Sequence, residues 1–199
     1  MTVVIGLTGS IGTGKSTAAR IFKDLHIPVV DADQVSREVV EPGETTLEEI
    51  RETFGDAIIQ EDGNLDRKAL GAIVFADEEK RKQLNAIIHP AIRKRMEAKQ
   101  QAWVDIKIPC LVVDIPLLFE NKLTETVDKI IVVYVDEATQ LKRIMSRDHM
   151  SEQDALQRMY SQISIEEKQK LADAVIDNRG TVAETAEQIQ TLLGKWELL

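Results

Sequence analysis

The run Gly9-Ser10-Ile11-Gly12-Thr13-Gly14-Lys15-Ser16 fits the pattern G-x-x-x-x-G-K-[S/T] at every fixed position. The chemistry it supports is the grip of a nucleoside triphosphate. Glycines let the backbone curl until successive N–H groups face one centre, a conformation that a Cβ resists, and phosphate oxygens are natural occupants of that centre. Lys15 adds a mobile cation for the β and γ phosphates, and Ser16 offers a hydroxyl to Mg²⁺. A glycine-rich turn that merely reversed the chain would give no role to Lys15-Ser16-Thr17.

Carboxylates and guanidinium groups recur further along. Asp31-Ala32-Asp33 follows the apolar Ile27-Pro28-Val29-Val30, where a parallel strand meets its loop, the edge at which open α/β sheets bind ligands. If the chain stays extended, Asp31 and Asp33 point the same way. Asp33 then acts on a substrate or caps a helix over 34–40, and its place beside the phosphate loop favours the first. Asp114 ends another apolar run and suits either water-mediated ordering of Mg²⁺ or a plain turn. Arg143 and Arg147 stand one helical turn apart and can clamp successive phosphates, or simply form a solvated face. Asn178-Arg179-Gly180 closes the last short strand, bordering a purine base or forming a turn that Asn and Gly permit.

The elements that must position these groups follow from periodicity. Residues 3–8, 27–30, 110–114, 129–135 and 174–176 are short apolar, β-branched runs of the kind a parallel sheet buries, and helical patterns separate them. The expected fold is α/β, a core with a five-stranded parallel sheet, a helical insertion in the strand–helix alternation and a helical lid. The core is expected at 1–43, 105–135 and 171–199, the insertion at 44–104 and the lid at 136–170. On the helix over 137–147, Ala138, Leu141, Ile144 and Met145 share one face, while Gln140, Arg143 and Arg147 line the other. The insertion reads as helices over 45–54, 66–75 and from 77 onward, with a small hairpin, or a strand turning, at Asp62-Gly63. Pro90 lies inside helical periodicity, so a break or kink is predicted at His89, able to aim a side chain at a ligand. Between Lys80 and Lys99 cations face a lone acid, Glu97, which either asks for an anionic partner or is an ordinary solvated face.

A chain of 199 residues buries one substantial core with appendages. Its net charge of −9 and pI near 5.0 argue against a nucleic-acid groove, which needs a basic patch on the scale of the protein. The single cysteine, Cys110, sits in an apolar run, where it reads as a buried small hydrophobe in a reducing cytoplasm. No apolar run reaches the length of a membrane span, and no export signal precedes the first strand. His26, His89 and His149 are scattered, which argues against a structural zinc site.

Together these stretches resemble the dephospho-coenzyme A kinase family of small phosphate-loop kinases. The likeness is carried by Leu7 to Thr17, by Val30-Asp31-Ala32-Asp33 with Arg37 and Glu41-Pro42-Gly43, and by Leu84 to Arg93 around His89-Pro90. Pro116-Leu117-Leu118-Phe119-Glu120, Gln140-Leu141-Lys142-Arg143 with Arg147-Asp148, and Val175 to Asn178 before Gly180 complete it. The resemblance implies ATP- and Mg²⁺-dependent phosphorylation of the ribose 3′-hydroxyl of dephospho-CoA, the last step of coenzyme A synthesis, on a three-layer P-loop NTPase core with a helical substrate-binding insertion and a helical lid; a monomer is expected. It implies that Asp33 is the base or orienting carboxylate and, with Ser16, lies at the metal, and that Lys15, Arg143 and Arg147 hold the transferred phosphoryl group. Gly9, Ile11, Gly12, Thr13, Gly14, Ser16, Thr17, Asn178 and Gly180 are implied around the nucleotide. Thr8, Arg37, His89, Pro90, Arg93, Leu117 and Leu118 are implied at the acceptor. Thr13 stands where the family often has serine.

Two other functions compete. A kinase acting on a nucleoside monophosphate or a compact metabolite would leave the long basic insertion without a role. A GTPase switch needs N-K-x-D, whereas Asn121-Lys122-Leu123-Thr124 lacks the aspartate and Asp177-Asn178-Arg179-Gly180 fits D-x-x-G far too late in the chain.

Overall fold

The computed structural model describes residues 1–199. β1 (Val3–Gly9) leads into α1 (Lys15–Asp24) and the short β2 (Val29–Asp31). Helices α2 (Ala32–Glu38), α3 (Thr45–Phe54), α4 (Arg67–Ala76) and α5 (Glu78–Asp105) follow. Next come β3 (Cys110–Asp114), β4 (Lys129–Tyr134), α6 (Glu137–Asp148), α7 (Glu152–Tyr160) and α8 (Ile165–Lys170). β5 (Ala174–Asp177) and α9 (Val182–Lys195) complete the chain. It divides into two compact units, Met1–Val30 with Trp103–Leu199, and Asp31–Ala102.

The first unit is built on the five-stranded parallel sheet that the apolar runs predict, in the order β2-β3-β1-β4-β5. β1 lies at the centre, with Ile5 opposite Val112 of β3 and Leu7 opposite Ile131 of β4, and Val133 of β4 faces Ile176 of β5. Parallel neighbours need crossover connections, and within this unit α1 and α9 pack against the sheet. Ile5, Leu7, Val112, Ile131, Val133 and Ile176 share a core with Phe22 of α1 and Ile189 and Leu193 of α9. The intervening Leu111, Val113 and Val132 are buried too. Burial on both faces is why these strands read as continuous apolar runs rather than alternating ones. A smaller core joins Ile144 of α6 to Ala155 and Met159 of α7, and Ile11 packs against it.

The helices of this unit start where side-chain oxygens meet orphan N–H groups. Asp136 caps α6, Ser151 caps α7 and Ser164 caps α8. Thr181 and Glu184 form a reciprocal capping box at the start of α9.

In the second unit Pro90 does not break its helix. α5 runs unbroken for 28 residues with the proline inside it. An interior proline costs about 3 kcal/mol. That loss is set against a long hydrogen-bond ladder and two cross-links, Lys99 to Glu38 at 2.7 Å and Arg95 to Glu44 at 2.8 Å. Arg95 and Lys99 of the basic stretch therefore tie α5 to its own unit. The expected hairpin is reduced to one antiparallel bridge, Ile59 to Leu65, around a turn in which Gly63 takes φ 83°.

Candidate active site at the phosphate loop

The loop between β1 and α1 is tight and held from within. The Thr13 N–H and hydroxyl both donate to the Ser10 carbonyl oxygen, at 3.2 and 2.9 Å. Gly12 and Gly14 take φ 82° and 85°, the left-handed region in which a side chain is strained. Both glycines also admit a neighbour. A Cβ on Gly12 would come within 3.0 Å of the Gln140 carbonyl oxygen, and one on Gly14 would collide with the Asn178 amide.

α1 begins at Lys15, and Gly14 at its N-cap has no side chain to cap it. The N–H groups of Lys15 and Ser16 find no acceptor in the chain. An uncapped helix start with aligned donors and the positive end of the helix dipole is an anion site. Thr17 spends its N–H on the Gly14 carbonyl at 2.9 Å. The Ser16 side chain is exposed, so its hydroxyl is open to a ligand or cation.

Lys15 donates to the Asp114 carboxylate. Asp114 ends β3 opposite Leu7 of β1 and is only 4% exposed. The pairing holds an ammonium and a carboxylate together at the carboxyl ends of the central strands, beside the loop.

Support comes from behind. The Asn178 side-chain amide donates to the Thr13 carbonyl at 2.8 Å, and its oxygen accepts the Thr185 hydroxyl at 2.9 Å. Arg143 donates to the Asn178 carbonyl at 2.9 Å. Gln140, expected on the exposed side of α6, is buried and donates to the Ile11 carbonyl at 2.6 Å. Hydrophobic spacing misplaces it because the surface facing that side of α6 is a polar backbone, not an apolar core.

Thr13, Gly14, Arg143 and Asn178 are thus brought together, while other expected residues are engaged elsewhere. Arg147 pairs with Asp148 at 2.7 Å, and Asp148 also holds Arg158 at 3.2 Å. The Arg147 hydrogen bond keeps the Asp148 carboxyl below its ordinary range. Thr8 is buried and its hydroxyl donates to the Pro116 carbonyl at 3.1 Å. Leu118 is wholly buried as a core residue, while Leu117 is exposed. At Gly180 a Cβ would run into the Glu184 carboxylate of the α9 capping box.

In the Asp31–Ala102 unit the two carboxylates after β2 separate in role. Because α2 starts at Ala32, the chain does not stay extended, and Asp31 is the cap, accepting the Asp33 and Gln34 N–H groups at 2.8 and 3.0 Å. The Asp33 carboxylate is exposed and makes no hydrogen bond within the chain. Arg37 lies one turn further along α2, also exposed. His89, Pro90 and Arg93 lie exposed on one side of α5.

Two residues were not singled out by sequence. Lys168 sits between acids and polar residues in Glu166-Glu167-Lys168-Gln169-Lys170, a string that reads as solvated surface, yet it is fully buried against Gly9 and Glu120. Gln162 lies in a connecting loop, and its side-chain oxygen accepts the Ile11 N–H at 3.1 Å.

Comparison with known proteins bears on this arrangement directly. The family model for dephospho-CoA kinase matches residues 3–184. The dephospho-CoA kinase of Oceanobacillus iheyensis is 52% identical over 198 residues, covering 100% of each chain. The structure of dephospho-CoA kinase from Campylobacter jejuni is similar with a TM-score of 0.76 at 34% identity, over 98% of this chain and 97% of that one. A Thermus thermophilus protein is similar with a TM-score of 0.81 at 31% identity, over 98% and 97%. With its phosphate loop, its parallel sheet and nearly its whole length matched, the chain belongs to the dephospho-CoA kinase family.

Proposed function

We propose that this chain transfers the γ-phosphoryl group of ATP to the ribose 3′-hydroxyl of dephospho-CoA, releasing ADP and coenzyme A. The observation that carries the reading is the uncapped start of α1 behind a complete phosphate loop, with Lys15 held at its rim by Asp114.

The reaction is an in-line displacement. The 3′-oxygen attacks the γ-phosphorus, the bond to the β–γ bridging oxygen breaks, and the hydroxyl proton passes to Asp33. Asp33 is assigned as base because its carboxylate has no internal partner while Asp31 is spent on the cap. Lys15, the loop N–H groups and Arg143 offset the charge spread over the transferred group, where positioning and electrostatics supply most of the catalysis. Arg147, released from Asp148, joins them when residues 136–170 close as a lid and exclude water. Arg37, His89, Pro90, Arg93 and Leu117 serve the acceptor.

Mg²⁺ fits the donor set. No group of three or more His, Cys, Asp or Glu residues forms a cage of its own, and Mg²⁺ bound to nucleotide normally takes only one or two protein ligands besides phosphates and waters. The Ser16 hydroxyl with Asp33 or Asp114 would hold it. When bound, it neutralises charge on the β and γ phosphates.

No helix is long and apolar enough to cross a membrane. We assign the chain to the cytoplasm as a monomer, which suits its one buried free thiol, Cys110.

The test is incubation of the purified protein with ATP, Mg²⁺ and dephospho-CoA. A product heavier by one phosphate, matched by ADP release, is expected. Turnover of a nucleoside monophosphate or compact metabolite, with dephospho-CoA unchanged, would replace this reading.

A further inference from the structure

Lys168 of α8 is fully buried. Its ammonium pairs with Glu120 Oε1 at 2.8 Å and donates to the Gly9 carbonyl oxygen at 3.3 Å. The same Glu120 oxygen accepts the Ile163 N–H at 3.1 Å. Gln162 takes the Ile11 N–H at 3.1 Å, and the Ser10 hydroxyl donates to the Ile163 carbonyl at 3.4 Å. Residues 162–168 therefore grip Gly9, Ser10 and Ile11, the first half of the phosphate loop, while Asn178 holds the second half at Thr13.

Stability alone is a poor reason for such a pair. Taking two charges out of water costs several kcal/mol per ion, and apolar side chains of similar volume often serve as well or better. Here the cost is compounded, because Glu120 Oε2 is buried with no hydrogen-bond partner. What the pair does supply is direction. A hydrocarbon in place of Lys168 could fill the space but could not donate to the Gly9 carbonyl, and without Glu120 the ammonium would have no anchor.

We propose that Lys168 is a positioning residue for phosphoryl transfer, acting through Gly9. It touches neither substrate. Its ammonium pins the carbonyl at which β1 passes into the loop, and Glu120 ties that ammonium to the Ile163 backbone, so the loop that starts at Gly9 keeps its shape around the transferred phosphate. A displacement of about 1 Å in such a frame is enough to cost roughly 10² in rate. The inference rests on the kinase reading above.

The decisive variant is the double substitution Lys168→Met/Glu120→Gln, which removes both charges of the pair together. Lys168→Met alone strands the Glu120 carboxylate and should lose thermal stability as well as turnover. The double variant should recover most of the lost Tm, while kcat stays about 10- to 100-fold below wild type and KM for ATP moves less than about threefold, since the Thr13 end of the loop remains anchored. A folded double variant with wild-type kcat would make the pair purely structural and overturn the proposal. So would a KM for ATP that rises in step with the fall in kcat, or a double variant unable to fold, because either would mean that the pair holds up the fold at large. Absence of turnover in the wild-type protein with dephospho-CoA would instead remove the kinase reading, so the two failures are distinguishable.

Discussion

The Asn178 side-chain amide reaches the Thr13 carbonyl oxygen at 2.8 Å, joining the end of β5 to a loop 165 residues earlier. The amide nitrogen is a donor facing an acceptor, so the isosteric Asn178→Asp puts a carboxylate oxygen against a carbonyl oxygen. Leaving a buried acceptor unsatisfied costs about 1–3 kcal/mol. Asn178→Asp should therefore lower stability by that amount in urea melts and raise KM for ATP. An unchanged KM would mean that the bond does not set the loop's conformation.

Lys15→Ala removes the cation at the rim of the phosphate loop together with its contact to Asp114. Turnover should be lost while far-ultraviolet circular dichroism stays that of the folded protein. A folded variant working at the wild-type rate would contradict the phosphate role of Lys15.

The aspartates after β2 should divide cleanly. Asp33→Asn should fold normally and lose about 10²–10⁴ in kcat, roughly 3–5 kcal/mol of transition-state stabilisation. Asp31→Ala removes the cap of α2, so it should instead cost about 0.5–2 kcal/mol of stability. Near-normal turnover of folded Asp33→Asn would take Asp33 out of the mechanism.

What the sequence made legible was local. The phosphate loop, the strands around it and most helix starts announce themselves within a few residues, because nest-forming glycines, continuous apolar runs and capping side chains act at short range. The Lys168 and Gln140 contacts join segments more than a hundred residues apart, and each residue sits in a polar string that looks solvated. Asn178 was visible as a loop residue at the ligand edge of the sheet, but its bond to Thr13 was not. Pro90 misled in the opposite direction, since a local helix breaker was overridden by the long helix around it and by cross-links from Arg95 and Lys99.

Acid should loosen the helix starts in the first unit. The Asp136 carboxyl is held below its ordinary range by the Thr139 backbone and hydroxyl donors, and Glu184 by those of Thr181. A depressed folded pKa means stabilisation that is present above the unfolded value, about 4, and is lost as pH falls through the lower folded value. Denaturant midpoints should therefore hold steady near neutrality and decline below about pH 4. Asp136→Asn, which still caps but cannot titrate, should make that decline shallower; an identical acid limb in the variant would exclude Asp136 as a contributor.

The order β2-β3-β1-β4-β5 sets a timetable for biosynthesis. β1 leaves the ribosome well before either neighbour, since β3 starts at Cys110 and β4 at Lys129. The middle of the sheet is made first and completed late, so the nascent Val3–Gly9 segment carries two unsatisfied edges until its partners emerge. The Asp31–Ala102 segment, made in that interval, can begin to fold on contacts of its own while the phosphate loop waits for its frame.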